Sequence, residues 1–190
     1  MEITIDSIVK NKNIELKVLE VNNYSFYENG SISKLTISNS GNIGKNAFYN
    51  CDALESVVAS NNGNIGNNAF YSCNALLTAD LSNSGSIYSE AFCGCNSLKT
   101  ALLNINGYIG WESFYDCENL NVVTIGNQVS EIRNYAFSGC RLLPEINLPD
   151  NITSLGEDAF SRCSSLKDVT IGRGISSLPD YVFSDCSSLP

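Results

Sequence analysis

The nine residues Asn68-Ala69-Phe70-Tyr71-Ser72-Cys73-Asn74-Ala75-Leu76 decide the fold, because close copies of them recur along the chain. Each copy contains a phenylalanine that is followed three residues later by a cysteine. These phenylalanines are regularly spaced, at positions Phe48, Phe70, Phe92, Phe114, Phe137, Phe160 and Phe183. The interval is constant up to Phe114 and becomes one residue longer after it. A fixed period in the twenties is typical of solenoids, whose short units bury their apolar faces against one another.

Two more apolar residues accompany each phenylalanine: an isoleucine or leucine five residues before it, and a leucine six residues after it. Between that leucine and the next unit lies a short alternating segment, such as Leu166-Lys167-Asp168-Val169-Thr170-Ile171. Alternation over a few residues predicts a half-buried strand, and strands stacked coil on coil form a parallel sheet. The phenylalanine segment is too short for a regular helix, and we expect it to form a single helical turn on the opposite face.

The repeat predicts one solenoid over residues 13–190, with about eight units and an N-terminal cap at residues 1–12. The first unit is degenerate: Phe26 precedes Phe48 by the same interval as in the following units, but Asn29 stands in the place of the cysteine. Residues 14–18 are expected to form the first strand. From Gly126 onward each turn contains one extra residue, which explains the longer period without a second domain. Because the chain stops inside a unit, we expect the array to be truncated at its C-terminus.

Charge and composition exclude several classes of function. Acidic residues outnumber basic ones by 20 to 11, a formal charge of −9 that repels nucleic acid. Histidine is absent, so no Ser–His or Cys–His hydrolase can be built, and no cofactor or metal site is expected. No apolar stretch approaches the roughly 18 residues of a membrane-spanning helix, and no signal peptide is visible. We therefore expect a protein that is not an enzyme and does not insert into a membrane.

The run from Leu155-Gly156-Glu157-Asp158-Ala159-Phe160-Ser161-Arg162-Cys163 to Ile171 resembles the BspA-like class of leucine-rich repeats. The resemblance covers about residues 13–190, and seven units keep both spacing and residue type. It implies an α/β-type repeat solenoid: a right-handed coil with a parallel sheet on one face and short helical turns on the other. Members are typically bacterial cell-surface or secreted adhesins. The resemblance thus implies a non-enzymatic solenoid, on the cell surface or secreted, that binds a host extracellular-matrix or cell-surface protein.

The cysteine column invites a metal or disulfide interpretation, but buried thiols fit it better. Zinc sites use closely paired ligands, whereas these cysteines recur once per coil. Cysteine packs well as a small buried side chain. Cys93 is different, because it directly follows Phe92 in a column that otherwise holds tyrosine and serine. That column is expected to be partly exposed, which makes Cys93 the best candidate for a reactive thiol, although an incidental surface thiol is the simpler interpretation.

The column with Cys93 begins with aromatic residues that have two interpretations. They could contact a partner, or they could form a half-buried stack over the phenylalanines, which we favour. Tyr27, Tyr49, Tyr71 and Tyr115 form this set. Trp111 stands in a different, polar column and is expected to be exposed, so it is a candidate contact residue.

The outward positions of the strands are the candidate binding surface, because solenoids generally bind through extended sheet faces. Three of them are apolar and form a small zone in the middle of the predicted sheet: Val58, Leu102 and Val122. With the polar neighbours and the tryptophan, the candidate ligand-binding set is Val58, Asp80, Leu102, Thr124, Val122, Glu145 and Trp111. A solvated face without a partner is the alternative interpretation of these positions. The alternative function is an intracellular structural or scaffolding repeat, favoured by the many unpaired cysteines.

Overall fold

The computed structural model describes residues 20–37, 41–59, 63–82 and 84–190. Within these ranges the chain winds as a solenoid built from short strands and turns. The strands are β1 (Lys34–Ile37), β2 (Ser56–Ala59), β3 (Thr78–Asp80), β4 (Thr100–Leu103), β5 (Gly107–Ile109), β6 (Val122–Ile125), β7 (Val129–Ile132), β8 (Glu145–Leu148), β9 (Ser154–Leu155) and β10 (Asp168–Ile171). The expected cap at 1–12 and strand at 14–18 lie outside the described residues, and both stay predictions.

The main sheet is parallel and keeps the register of the sequence repeat. Its strands lie in the order β1-β2-β3-β4-β6. Leu35 pairs with Val57, and Val57 pairs with Ala79, so equivalent residues of successive coils lie side by side. All three side chains are buried, as the alternating pattern predicts. The predicted parallel sheet of half-buried strands is confirmed.

The main sheet is interrupted after β6, and β8 pairs instead with β10. In earlier coils the residue that precedes the strand donates its backbone N–H to the equivalent residue of the previous coil. Lys99 donates to the Leu77 carbonyl at 2.9 Å, and Asn121 donates to the Lys99 carbonyl at 3.0 Å. The next residue in this column is Pro144, which has no N–H to donate. The column resumes when the Lys167 N–H donates to the Pro144 carbonyl at 2.8 Å. The missing donor accounts for the interruption.

A second parallel ladder runs along the column of isoleucines that precedes each phenylalanine, and the sequence pattern does not predict it as strand. Single bridges join Val21 to Ile43, Ile43 to Ile65, Ile65 to Ile87 and Ile87 to Ile109. Beyond them the ladder widens into a three-stranded sheet in the order β5-β7-β9. Each coil in the middle of the chain therefore contributes to two ladders on different faces.

The lengthening of the period by one residue is absorbed in the second ladder. Gly107 pairs with Val129, but the next residue, Tyr108, pairs with Glu131 and passes over Ser130. Ser130 is therefore an extra residue in a β-bulge, the usual way in which a ladder accommodates an insertion. The extra residue lies after Gly126, where the sequence predicts it, and the phenylalanine column stays in line on both sides of it.

The expected helical turns on the remaining face are not present, since the described residues contain strands and turns but no helix. The residues two before and two after each phenylalanine have positive φ, for example Asn46 (54°) and Asn50 (53°). This backbone directs their N–H groups toward the next coil, to the carbonyls of Asn67 at 3.0 Å and Tyr71 at 2.9 Å. A helix cannot form across two left-handed residues, so satisfying the inter-coil bonds takes precedence over a helical turn.

The core is a column of stacked aromatic rings with aliphatic residues around it. All eight phenylalanines of the chain belong to it, and neighbouring ring centroids are 4.9 to 5.7 Å apart. Phe26 stacks on Phe48 at 5.0 Å, so the degenerate first unit continues the same column. Phe48, Phe92 and Phe137 have no solvent exposure. Burial of this column and of the aliphatic residues around it, coil by coil, is the apolar contribution that holds successive coils together.

Candidate functional site

The predicted binding residues of the main sheet form one line across it. Val58 pairs with Asp80, Asp80 with Leu102, and Leu102 with Thr124. Residues paired across neighbouring parallel strands lie about 4.8 Å apart, so the line spans four coils over roughly 14 Å. The four side chains alternate with buried ones and therefore point away from the core. The structure brings these four predicted residues together.

The apolar part of this surface lies around Leu102. Val122 pairs with Thr100, two positions before Leu102 on β4, and so lies diagonal to Leu102 on the same face. Val122 is 48% exposed, whereas Val58 and Leu102 are half-buried. Leu102 and Val122 are neighbours, whereas Asp80 lies between Val58 and Leu102. Scattered exposed apolar residues are ordinary on a protein surface, so the adjacent pair is the more informative part. We name Val58, Leu102 and Val122 the apolar centre of the sheet face.

Carboxylates border the apolar centre on the side of the later coils. Glu145 pairs directly with Asp168 across β8 and β10, and both residues are exposed. Like charges directly opposite on neighbouring strands repel each other, and a basic group from outside would relieve that repulsion. Asp80 is different, since its Oδ1 accepts a hydrogen bond from the Ser82 backbone N–H at 3.1 Å and so helps to hold its own turn. Glu145 and Asp168 are therefore the acids available to a partner.

Trp111 lies apart from this surface. It follows β5 of the second ladder by two residues and is 41% exposed, as the polar character of its column predicts. The surrounding ladder presents further aromatic and basic groups. The Tyr88 and Tyr108 rings stack at 5.8 Å, and the Arg133 guanidinium lies 3.7 Å from the Tyr108 centroid. The structure thus separates the predicted set into a sheet face and a lone tryptophan on another side.

The cysteine column packs in the interior, as predicted. All eight cysteines are buried and unbridged, and burial raises the pKa of the Cys117 thiol well above its usual value. Each thiol of the repeat column donates to the carbonyl oxygen of the phenylalanine one coil earlier, as Cys73 does to Phe48 at 3.0 Å. Cysteine therefore has a polar role that the sequence pattern does not reveal. Its sulfur links neighbouring coils.

The expectation that Cys93 is partly exposed is wrong, and neither a reactive nor an incidental surface thiol fits its position. Its side chain is only 8% exposed. Burial, and then the charges of Glu90, Glu112 and Asp116, raise its pKa to about 12. A reactive cysteine needs access and a stabilised thiolate, and this environment offers neither. The column is partly exposed where it holds tyrosine, but the shorter cysteine side chain lies beneath the surface between longer neighbours.

Three tyrosines of that column form the stack that we favour over a contact surface, whereas Tyr115 lies beyond Cys93 and outside the stack. Tyr27 and Tyr49 stack at 5.0 Å, and so do Tyr49 and Tyr71. Tyr49 and Tyr71 are half-buried, while Tyr27 is 42% exposed at the outer end of the stack. In the later coils serine replaces tyrosine, and a cavity of about 150 Å³ opens beside Ser138, Ser161 and Ser184. The serines are visible in the sequence, but the repeat pattern does not indicate the cavity.

A coil of roughly 22 residues with a parallel strand and a buried leucine defines the leucine-rich repeat class of solenoids. The sequence matches the family described as BspA type leucine rich repeat region in 6 copies, over residues 6–99 and 107–190. The chain belongs to that family. No curated protein matches it.

Solved structures of bacterial leucine-rich repeat proteins have the same fold. The T. pallidum leucine rich repeat protein TpLRR is 24% identical with a TM-score of 0.68, and the match covers 95% of this chain and 79% of TpLRR. A leucine rich cell surface protein from Faecalibacterium prausnitzii is 22% identical with a TM-score of 0.54, and the match covers 90% of this chain and 69% of that protein. The pneumococcal vaccine antigen PcpA is 20% identical with a TM-score of 0.55, covering 83% of this chain but 36% of PcpA.

Two further properties of the described ranges bear on the class of protein. They contain no helix of the length and apolar character that a bilayer crossing requires. They also contain no group of three or more cysteine or acidic side chains arranged to hold a metal ion. The repeat family and fold are in general non-enzymatic scaffolds that bind proteins. The sheet face and the serine cavity are features of the described residues that such a scaffold could use.

Proposed function

We propose that this protein is a cell-surface or secreted binding protein with an adhesin-like role, which attaches to a host or cell-surface protein through its main sheet face. The observation that carries the proposal is the apolar centre of Val58, Leu102 and Val122, bordered by the exposed acids Glu145 and Asp168. Solenoids of this kind bind through extended sheet faces. The likeness to a leucine rich cell surface protein of F. prausnitzii supports the location.

The chemistry of the face selects a partner with apolar side chains flanked by basic ones. Leu102 and Val122 offer apolar area that a partner would remove from water. The pair Glu145 and Asp168 attracts a lysine or arginine, and the formal charge of −9 steers a basic surface toward the protein. Binding should therefore weaken as salt concentration rises, while the apolar contacts supply most of the specificity.

The test uses substitutions that the fold already accepts in neighbouring coils. Thr36 and Thr124 occupy the column of Leu102, and Thr78 and Thr100 occupy that of Val122, so the Leu102→Thr/Val122→Thr double variant should fold normally. Leu142→Thr is a matched control, because Leu142 is also 48% exposed but lies outside the strands. Each protein is titrated onto surfaces coated with purified extracellular-matrix proteins, and its melting temperature is recorded.

We expect saturable binding to at least one matrix protein, at least about tenfold weaker for the double variant and unchanged for Leu142→Thr. A Glu145→Lys/Asp168→Lys variant should also bind more weakly than the wild type, and the difference should be largest at low salt concentration. Binding that survives both double variants would place the site elsewhere. No binding to any matrix protein would overturn the adhesin-like role.

A second candidate function is an intracellular scaffold, and the eight unbridged thiols favour it. Free cysteines are kept reduced in the cytosol, whereas exported proteins usually form disulfides. Antibody labelling of intact cells and of lysed cells distinguishes the two candidates. Labelling of intact cells supports the surface protein, and labelling only after lysis supports the scaffold.

A further inference from the structure

The serine cavity arises from a change of residue type in one column of the repeat. The residue after the phenylalanine is tyrosine in four coils and cysteine in one, but serine in the last three: Ser138, Ser161 and Ser184. Where a tyrosine ring would lie, a volume of about 150 Å³ is open to solvent on the turn face. The cavity is thus built into the array at a position where other coils are filled.

The floor of the cavity is hydroxylic and fixed. Ser138 and Ser161 are 1% and 4% exposed, and their Oγ atoms are hydrogen-bonded to each other at 2.8 Å. In that pair one hydroxyl donates and the other accepts, and Ser138 Oγ also accepts from Arg162 Nη2 at 3.3 Å, so the floor is a hydrogen-bonded polar surface. Ser184 continues the row one coil further. An apolar ligand would find no matching surface on this floor.

One wall is an arginine that the structure holds in place. Nη2 of Arg162 donates to Oδ1 of Asp116 at 3.1 Å, two coils earlier, and to Oγ of Ser138 at 3.3 Å. Its guanidinium carbon lies 5.1 Å from the centroid of the Tyr115 ring. A side chain fixed by an ion pair, a hydrogen bond and a ring loses little freedom when it donates to a ligand.

The opposite wall supplies acceptors and an aromatic ring. Asp158 and Asp185 line the cavity together with Tyr135. The charge of Asp158 and a hydrogen bond to it raise the pKa of Tyr135, so the phenol stays protonated beside that carboxylate. The lining therefore combines guanidinium donors, carboxylate acceptors, hydroxyls that can do both, and the rings of Tyr115 and Tyr135.

Charge and size narrow the chemistry of the ligand. Two carboxylates against one arginine give the lining a net negative charge, which disfavours an anion. The described residues hold no cluster of three acidic or cysteine side chains for a metal ion, so an ammonium group is the charged alternative that a test must compare. The volume is far above the roughly 10–15 Å³ that a single buried water needs, and it is below the roughly 300 Å³ of common drug-sized sites. The mixture of donors, acceptors and aromatic rings in the lining favours a small, neutral ligand that is rich in hydroxyl groups and has an apolar ring face.

We propose that the serine cavity binds one pyranose ring of a neutral sugar, as found at the end of a glycan chain. Ring hydroxyls donate to Asp158 and Asp185 and accept from Arg162, and the C–H face of the ring packs on tyrosine. This site is on the turn face and is independent of the sheet face that contains Leu102. A single-ring site of this size has a Kd on the order of 1 mM.

The test is a titration of the full 190-residue chain, labelled with ¹⁵N, with methyl glycosides of glucose, mannose, galactose and N-acetylglucosamine. Inorganic phosphate and n-butylamine are the charged comparison probes. We expect at least one glycoside to shift the amide signals of Ser138, Ser161 and Arg162 saturably in the millimolar range. The Leu102→Thr/Val122→Thr variant should behave like the wild type, which separates this proposal from the function of the sheet face.

Two variants exchange tyrosine and serine within the column of residues that follow each phenylalanine. Ser161→Tyr restores the residue of earlier coils and fills the cavity, so glycoside affinity should fall at least tenfold. Tyr49→Ser opens a similar gap in a coil without the arginine and aspartates, and it should gain no glycoside binding. If Ser161→Tyr lowers the melting temperature, Ser184→Tyr gives the same test at the outer wall.

The proposal is overturned by any of three results. The first is that no glycoside gives saturable shifts at the serines. The second is that binding persists in a folded Ser161→Tyr or Ser184→Tyr variant. The third is that phosphate or n-butylamine shifts the same signals more strongly than every glycoside does.

Discussion

The Sγ atom of Cys117 lies 3.1 Å from the carbonyl oxygen of Phe92, one coil earlier, and donates a hydrogen bond to it. The same bond recurs from Cys51 to Phe26 and from Cys186 to Phe160. The acceptor is buried beside the aromatic column, where water cannot replace the thiol. This recurrence explains why the column contains cysteine, which is small, apolar and still a weak donor.

Replacement of a cysteine in this column should therefore lower the free energy of unfolding by more than the lost side-chain volume alone implies. Cys117→Ala removes both packing and the bond to Phe92, so the free energy of unfolding should fall by about 1–2 kcal/mol. Cys93→Ser is the control, because serine already follows the phenylalanine in three later coils, and its effect should be smaller. Chemical denaturation of both variants measures the difference. Equal effects would show that the thiol bond contributes nothing specific.

Thiol reactivity tests the burial of Cys93. Because it is 8% exposed and its pKa is raised to about 12, it should react with iodoacetamide no faster than Cys117 in the native protein. Both should react quickly in denaturant. Peptide mapping by mass spectrometry follows each site separately. Fast and selective labelling of Cys93 under native conditions would contradict the structure and restore the expectation drawn from the sequence.

The environment of Ser113 predicts that replacing it with alanine stabilises the fold. Its hydroxyl is fully buried and, among the described residues, has no hydrogen-bond partner. The equivalent residue is alanine in most other coils, including Ala91 and Ala136. Ser113→Ala should raise the free energy of unfolding by about 1 kcal/mol, because it removes an unpaired buried polar group. Ser138→Ala should do the opposite, since the Ser138 hydroxyl has partners, and a loss of stability in both variants would refute this reasoning.

Glu112 predicts a dependence of stability on pH. Burial, and then the charges of Glu90 and Asp116, raise its pKa above the ordinary value of 4.5. A raised pKa means that the fold binds the proton more tightly, so this contribution to stability is present at low pH and is lost as pH rises through the folded pKa. Glu112→Gln should therefore be more stable than the wild type at pH 7, with the advantage disappearing below about pH 4. Melting temperatures of both proteins between pH 4 and pH 7 test this prediction. A difference that does not change with pH would contradict the raised pKa of Glu112.

The sequence predicts the coil, the main sheet and the buried columns, because these depend on spacing and apolar character. It fails on the turn face because the left-handed backbone is not restricted to glycine or asparagine there. Tyr135, Glu112 and Arg162 adopt it with φ of 57°, 52° and 59°. The inter-coil hydrogen bonds impose this conformation, and no single unit of the sequence contains that information.

The candidate surfaces were predictable to different degrees. The line from Val58 to Thr124 follows directly from the repeat register, and its residues could be named from the sequence. The serine cavity could not be predicted from the sequence, because its shape depends on how Arg162 reaches back two coils to Asp116. The interruption at Pro144 carried a signal in the sequence, since a proline in a column of N–H donors predicts a break.

The central claim, that successive coils stack in register, is tested most directly by distances between spin labels on one strand column. Thr36, Thr124 and Thr170 belong to the same outward column, four and six coils apart, and the native thiols are buried. With one rung every roughly 4.8 Å, labels at Thr36→Cys/Thr124→Cys should be separated by about 19 Å and those at Thr36→Cys/Thr170→Cys by about 29 Å. Narrow distributions near both distances are the predicted result. Broad distributions, or a second distance no longer than the first, would contradict it.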